Sequence, residues 1–216
     1  MQLGAKIGEG TYRECREVVG SPDLCAKVLK PFRTKSYPLG ITLTVPTHIY
    51  TLFKFGIADI NRFEYAVIEN LPPELRQYAP DRNEIIAVNN RDTALVSTRQ
   101  YDFNGQPSKT LHELNSLENE HFWREIDRIA EMMFDHRLYF FDIFHLGNNV
   151  IVQQEDTETA RPVLIDFKRL GQRMYPFQFD LLTHRGRQSK LLRRLEQFRM
   201  RFKKSSSASE KHGQAA

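Results

Sequence analysis

Polar and apolar positions along residues 1–30 predict a twisted β-hairpin. Strand-like segments flank the turn Gly20-Ser21-Pro22-Asp23. The second arm, Leu24-Cys25-Ala26-Lys27-Val28-Leu29, is a short apolar run that carries one lysine. Residues 31–58 show no clean period and are broken by Pro31, Pro38, Gly40, Pro46 and Gly56, which predicts an irregular insertion. From Asp59 to Leu71 the period becomes helical. Ile60, Phe63, Val67 and Leu71 share a face, Asp59 can cap the start, and Pro72-Pro73 ends the helix.

Two strands, Glu84–Val88 and Ala94–Thr98, follow around the polar turn Asn89–Asp92. After a linker, Tyr101–Pro107, Ser108 or Thr110 can cap a short helix. A long helix is expected over Leu117–Arg137, with Phe122, Ile126, Ile129 and Met133 on one stripe. Val150-Ile151-Val152 and Pro162–Phe167 read as a second hairpin that ends in an acid, Asp166. A basic helix covers Gln188–Lys203, and the serine-rich tail 205–216 is expected to be disordered. This order predicts an α+β fold with two lobes around a cleft.

The length, 216 residues, suits one domain or two small lobes packed together, here 1–100 and 101–204. With 40% hydrophobic and 27% charged residues, a packed core under a solvated surface is expected. Cys15 and Cys25 cannot form a four-thiolate zinc site or a dense disulfide framework, so both are expected to be buried reduced thiols. Met1–Gly10 lacks the apolar core of a signal peptide, and no stretch reaches the roughly 18 apolar residues of a membrane span. A soluble, cytoplasmic protein is therefore expected. The net charge of +4 is modest, but nine Lys and Arg between 185 and 204 face one acid, Glu196. Such a run can touch an anionic surface weakly or be a solvated helix face. It contains no nucleic-acid reading motif, and Phe198 and Phe202 suit core-facing positions, so nucleic acid is not an expected partner.

Four features carry candidate chemistry. In Ile7-Gly8-Glu9-Gly10-Thr11-Tyr12-Arg13, Gly8 and Gly10 let backbone approach a phosphate, while Arg13 stands where kinase-like loops place a third glycine. Lys27 lies inside an apolar strand and needs an anionic partner, with Glu64 the first candidate and Glu69 the alternate; otherwise it is an edge-strand lysine reaching water. Asp142 and Asn149 flank a loop, a pattern that can accept a hydroxyl proton and offer a hard metal ligand. Asp166, at the end of a buried strand, needs a partner, either a magnesium ion bridging phosphates or neighbouring backbone amides.

Their order is that of a protein kinase. With Asp23-Leu24-Cys25-Ala26-Lys27-Val28, Tyr101–Leu111 and Asn149-Val150-Ile151-Val152 to Asp166, the chain resembles the PhoP regulatory network protein YrbL family over residues 3–171. The resemblance implies a bacterial, reduced protein-kinase-like fold with a small β-rich N-lobe and a reduced helical C-lobe. It implies ATP and Mg2+ as cofactors and a phosphotransferase acting on an unidentified small molecule or protein. In that scheme Gly8, Gly10 and Lys27, held by Glu64, contact the nucleotide. Asn149 and Asp166 hold magnesium, with Asn148 an alternative to Asn149 because the interval from Asp142 is long. Asp142 and Lys27 are the catalytic pair, and backbone near Ser97–Tyr101 meets adenine. The alternative is a catalytically silent kinase-like regulatory module that binds a partner protein.

Overall fold

The computed structural model describes residues 1–36, 42–88, 92–167 and 183–204. The tail 205–216 lies outside the described residues. Leu3–Glu9 (β1), Arg13–Val18 (β2) and Ser21–Leu29 (β3) form an antiparallel meander rather than a simple hairpin. The expected turn, Gly20–Asp23, is shorter. Gly20, at φ +81°, makes the reversal, so Ser21-Pro22-Asp23 join β3.

The described residues of 31–58 are regular rather than an irregular insertion. Phe32–Ser36 (β4) pairs with Thr42–Pro46 (β5), and Thr47–Phe55 forms α1. Pro46 and Gly56 mark boundaries instead of disrupting a pattern, while Pro38 and Gly40 lie outside the described residues. Pro46 occupies the N-cap position of α1, and Gly56 closes it in the left-handed conformation at φ +70°.

Helix α2 runs over Ile60–Glu69. The Asp59 side chain accepts hydrogen bonds from the Asn61 and Arg62 amides, as the pattern predicts. Its fully buried face is Ile60, Asn61, Glu64 and Ile68, while Phe63 and Val67 are half-buried. The helix is thus turned so that two polar residues face inward. Pro72-Pro73 does more than stop it, since Pro73 opens the short helix α3 (Pro73–Arg76). Strands Asn83–Ala87 (β6) and Thr93–Thr98 (β7) complete a five-stranded sheet of order β1-β2-β3-β7-β6. Val18, Ala26, Val28, Ala94 and Val96 form its own apolar cluster.

The C-terminal part is mainly helical. Lys109–Thr110 (β8) leads into α4 (Leu111–Leu114), where Thr110 and Glu113 form a capping box. Helix α5, Glu120–Asp135, starts at Asn119 and buries Phe122, Ile126, Ile129 and Met133 completely. Burying each such side chain favours folding by about 1.5–3 kcal/mol. Helix α6 (Ile143–Leu146) follows, then the hairpin Val150–Gln154 (β9) and Ala160–Leu164 (β10) in a sheet of order β10-β9-β8.

Helix α7, His184–Phe202, begins four residues earlier than the pattern suggests, because Thr183 accepts a hydrogen bond from the Gly186 amide. Leu191, Leu195, Phe198 and Phe202 anchor it. The Phe198 ring meets Trp123 at 5.9 Å, Phe144 at 5.5 Å and Phe202 at 5.3 Å. On its outer side, Arg199 pairs with Asp127 and Lys203 with Glu120, so part of the basic run is answered by acids of α5. Gly147, at φ +74°, brings the loop after α6 against this helix. A Cβ there would lie 2.9 Å from the Phe202 ring and 3.0 Å from the His112 amide nitrogen.

The architecture is mixed α+β, with a β-rich N-terminal region and helices in the C-terminal part. No helix among the described residues is long and apolar enough to cross a membrane.

Candidate functional site

Lys27 sits on β3, an interior strand with β2 on one side and β7 on the other. Its backbone faces Cys15 and Leu95. An edge-strand lysine escaping to water is therefore not what the fold contains. The Lys27 Nζ donates to Glu64 Oε1 at 2.8 Å, and the Glu64 side chain is fully buried. Glu69, the alternate, is exposed and lies 3.6 Å from Arg76 instead.

The other Glu64 oxygen accepts from Arg13. The same guanidinium donates to Asp166 Oδ1 at 2.9 Å and to Asn61 Oδ1 at 2.9 Å. Asn61 in turn donates to the Thr93 carbonyl at 2.7 Å, which fixes its orientation. Four ionic side chains from β2, β3, α2 and the segment after β10 thus share one contact network. Only 6% of the Arg13 side chain and 16% of the Asp166 side chain are exposed, so screening by water is weak.

The turn between β1 and β2 explains how Arg13 gets inside. The Gly10 amide donates to the Arg13 carbonyl at 2.8 Å, and the Lys30 amide donates to the Tyr12 carbonyl at 2.9 Å. Tyr12 is buried and stacks on Tyr50 with ring centroids 5.8 Å apart. The Arg33 guanidinium lies 4.0 Å from the Tyr50 ring centre. The aromatic residue beside Arg13 is therefore clamped by α1 and β4. A Cβ at Gly8 or Gly10 would meet only ordinary contacts, at 3.7 and 3.5 Å, so packing alone does not demand glycine there.

Asp166 lies two residues beyond β10 at φ +71°, a left-handed conformation that Asp adopts more readily than most residues. The preceding Ile165 amide donates to the Asn149 carbonyl at 2.9 Å, and the Asn149 amide group donates to the Asp142 carbonyl at 3.2 Å. Asn149 is thus bonded to Asp142 and to Ile165, the residue before Asp166. Asn149 is half-buried, whereas Asn148 is exposed. Gly8 joins the group through Cys15, its partner across the strand pair, which in turn faces Lys27.

Sequence reasoning missed two members. Arg13 was visible only as an irregular residue in a glycine-rich turn. Asn61 lies three positions before Glu64, which places two polar residues on one helix face; that spacing was the available signal.

The charges fit together. Burial opposes ionisation of Glu64, but Arg13 and Lys27 outweigh it and hold the carboxyl below its ordinary 4.5. Burial also opposes the charge on Arg13. Glu64 and Asp166 overcome it, so the guanidinium holds its proton more tightly than usual.

Cys15 and Cys25 are half-buried rather than fully buried, on the sheet face that carries Lys27. The Cys15 thiol hydrogen-bonds Cys25, which lowers Cys25 to about 7 against the effect of burial, with help from Lys27 and Arg99. The same bond and burial push Cys15 up. Iodoacetamide should therefore alkylate one thiol of this pair well before the other. Peptide mass spectrometry at partial labelling reads this directly; equal rates at both thiols would contradict it.

At the expected magnesium ligands, the Asn149 side-chain amide donates to the Asp142 carbonyl. Magnesium takes carboxylate and phosphate oxygens, and the Asp166 carboxylate already accepts from a buried guanidinium. Among the described residues no three His, Cys, Asp or Glu side chains converge as a metal site. No protein-family profile matches the chain, and no curated protein matches its sequence.

Proposed function

We propose that the protein is a two-lobed, protein-kinase-like domain that binds a nucleoside triphosphate such as ATP, as members of the YrbL family would. The observation that carries this reading is the Lys27–Glu64 pair joined through Arg13 to Asp166, across 153 residues of sequence. Here an interior-strand lysine is oriented by a helix carboxylate, and a strand-end acid meets the same network. Lys27 presents an ammonium to the phosphates, and Glu64 fixes its direction. In this reading the turn through Gly8 and Gly10 covers the phosphates, where the lack of side chains lets backbone come close. Backbone between Ser97 and Tyr101 borders the base. In a phosphotransferase, Asp142 receives the proton of the acceptor hydroxyl, and positioning with charge neutralisation supplies the rest of the catalysis.

ATP should raise the melting temperature of the wild-type protein in a concentration-dependent way, because a ligand that binds only the folded state stabilises it. The shift should disappear in Lys27→Met. An equal shift in both proteins would remove Lys27 from the site.

A second reading is a catalytically silent module that binds a partner protein. It is favoured by Arg13, which fills space between Glu64 and Asp166. Slow ATP hydrolysis or phosphate transfer that vanishes in Asp142→Asn supports the enzyme; ATP binding without turnover supports the module.

A further inference from the structure

The Asp166 carboxylate raises a question of charge balance. A strand-end acid facing a polyphosphate repels it unless a cation lies between them. Here a cation is already part of the chain. The Arg13 guanidinium donates to Asp166, Glu64 and Asn61 at once and is almost wholly buried. Two cations, Arg13 and Lys27, balance two anions, Glu64 and Asp166. Both the turn geometry at Gly10 and the clamped Tyr12 ring hold Arg13 in this place. A planar guanidinium has five N–H donors, and the contacts to Glu64, Asn61 and Asp166 account for three of them.

We infer that Arg13 is a built-in cation that takes the charge-neutralising place of a divalent metal at Asp166, so this site takes the polyphosphate of a nucleotide without needing magnesium. The inference rests on the nucleotide reading above and adds to it the ionic form of the ligand. Arg13 is a specificity-determining residue in this account. It sets whether free or metal-bound triphosphate is preferred.

The test is calorimetric titration with ATP, once in EDTA and once with excess Mg2+. For the wild-type protein the two affinities should agree within about threefold. Arg13→Gly, which restores a third glycine, should lose affinity in EDTA by about tenfold or more and regain it when magnesium is added. Circular dichroism checks that this variant is folded. Asp166→Asn in the wild-type background gives a second reading that keeps the guanidinium with its Glu64 and Asn61 contacts. Its affinity in EDTA should be higher, because a negative charge beside the phosphates is gone. A wild-type protein that binds ATP at least about tenfold more tightly with magnesium overturns the inference while leaving the nucleotide site in place. Loss of EDTA binding in Asp166→Asn also overturns it. No heat of binding for any protein in either buffer removes the nucleotide reading itself.

Discussion

Glu64→Ala should lower folding stability by about 3–5 kcal/mol, the usual cost of removing one partner from a buried ion pair. Domains of this size are stable by only about 5–15 kcal/mol, so the loss is a large share of the total. Glu64 is fully buried and bonds both Lys27 and Arg13. Its removal leaves Arg13, itself buried, with Asp166 as its remaining ionic partner among these groups. Glu64→Gln retains the shape and one acceptor, so its loss should be smaller.

The pH dependence of the effect has a definite sign. The native carboxyl titrates below 4.5. Its contribution is therefore complete above about pH 4.5 and fades as pH falls through the depressed native value. Urea unfolding at pH 7 and at pH 3.5 should show the gap between wild type and Glu64→Gln narrowing at the lower pH. A loss under about 1 kcal/mol for Glu64→Ala at pH 7 would mean that Glu64 is solvated.

Phe198→Ala should cost a similar amount, about 3–5 kcal/mol, through lost burial and the cavity left behind. Phe198 joins α7 to Trp123 of α5, to Phe144 of α6 and to Phe202. By comparison, the exposed Lys203–Glu120 pair at 3.1 Å is worth about 0.2–1 kcal/mol. The apolar face, not the basic one, therefore holds α7 on the molecule. Lys203→Ala should leave the urea midpoint nearly unchanged, while Phe198→Ala should move it strongly. The reverse ranking would place α7 outside the core.

Regular periods made much of the fold legible. The stripe Phe122, Ile126, Ile129 and Met133 predicted the buried face of α5, and Asp59 marked the start of α2. Breakers misled where they stood at boundaries, as Pro46 and Gly56 do around α1. The face of α2 was also misjudged. An apolar count selects Phe63 and Val67, whereas Asn61 and Glu64 are turned inward by partners far along the chain.

The site was legible to the same extent. A lysine in an apolar strand announces that it needs an anion, and Glu64 is that anion. Arg13 could not be read in the same way. An arginine in an exposed-looking turn has no local mark of burial, and its partners Glu64 and Asp166 lie 51 and 153 positions away.

A crystal structure with a non-hydrolysable ATP analogue addresses the proposed site most directly. Phosphate oxygens should lie within about 3 Å of the Lys27 ammonium and the Arg13 guanidinium, on the Gly8–Gly10 side of the sheet. A nucleotide bound elsewhere, or Lys27 and Asp166 found on separate surfaces with Arg13 in solvent, would contradict the account.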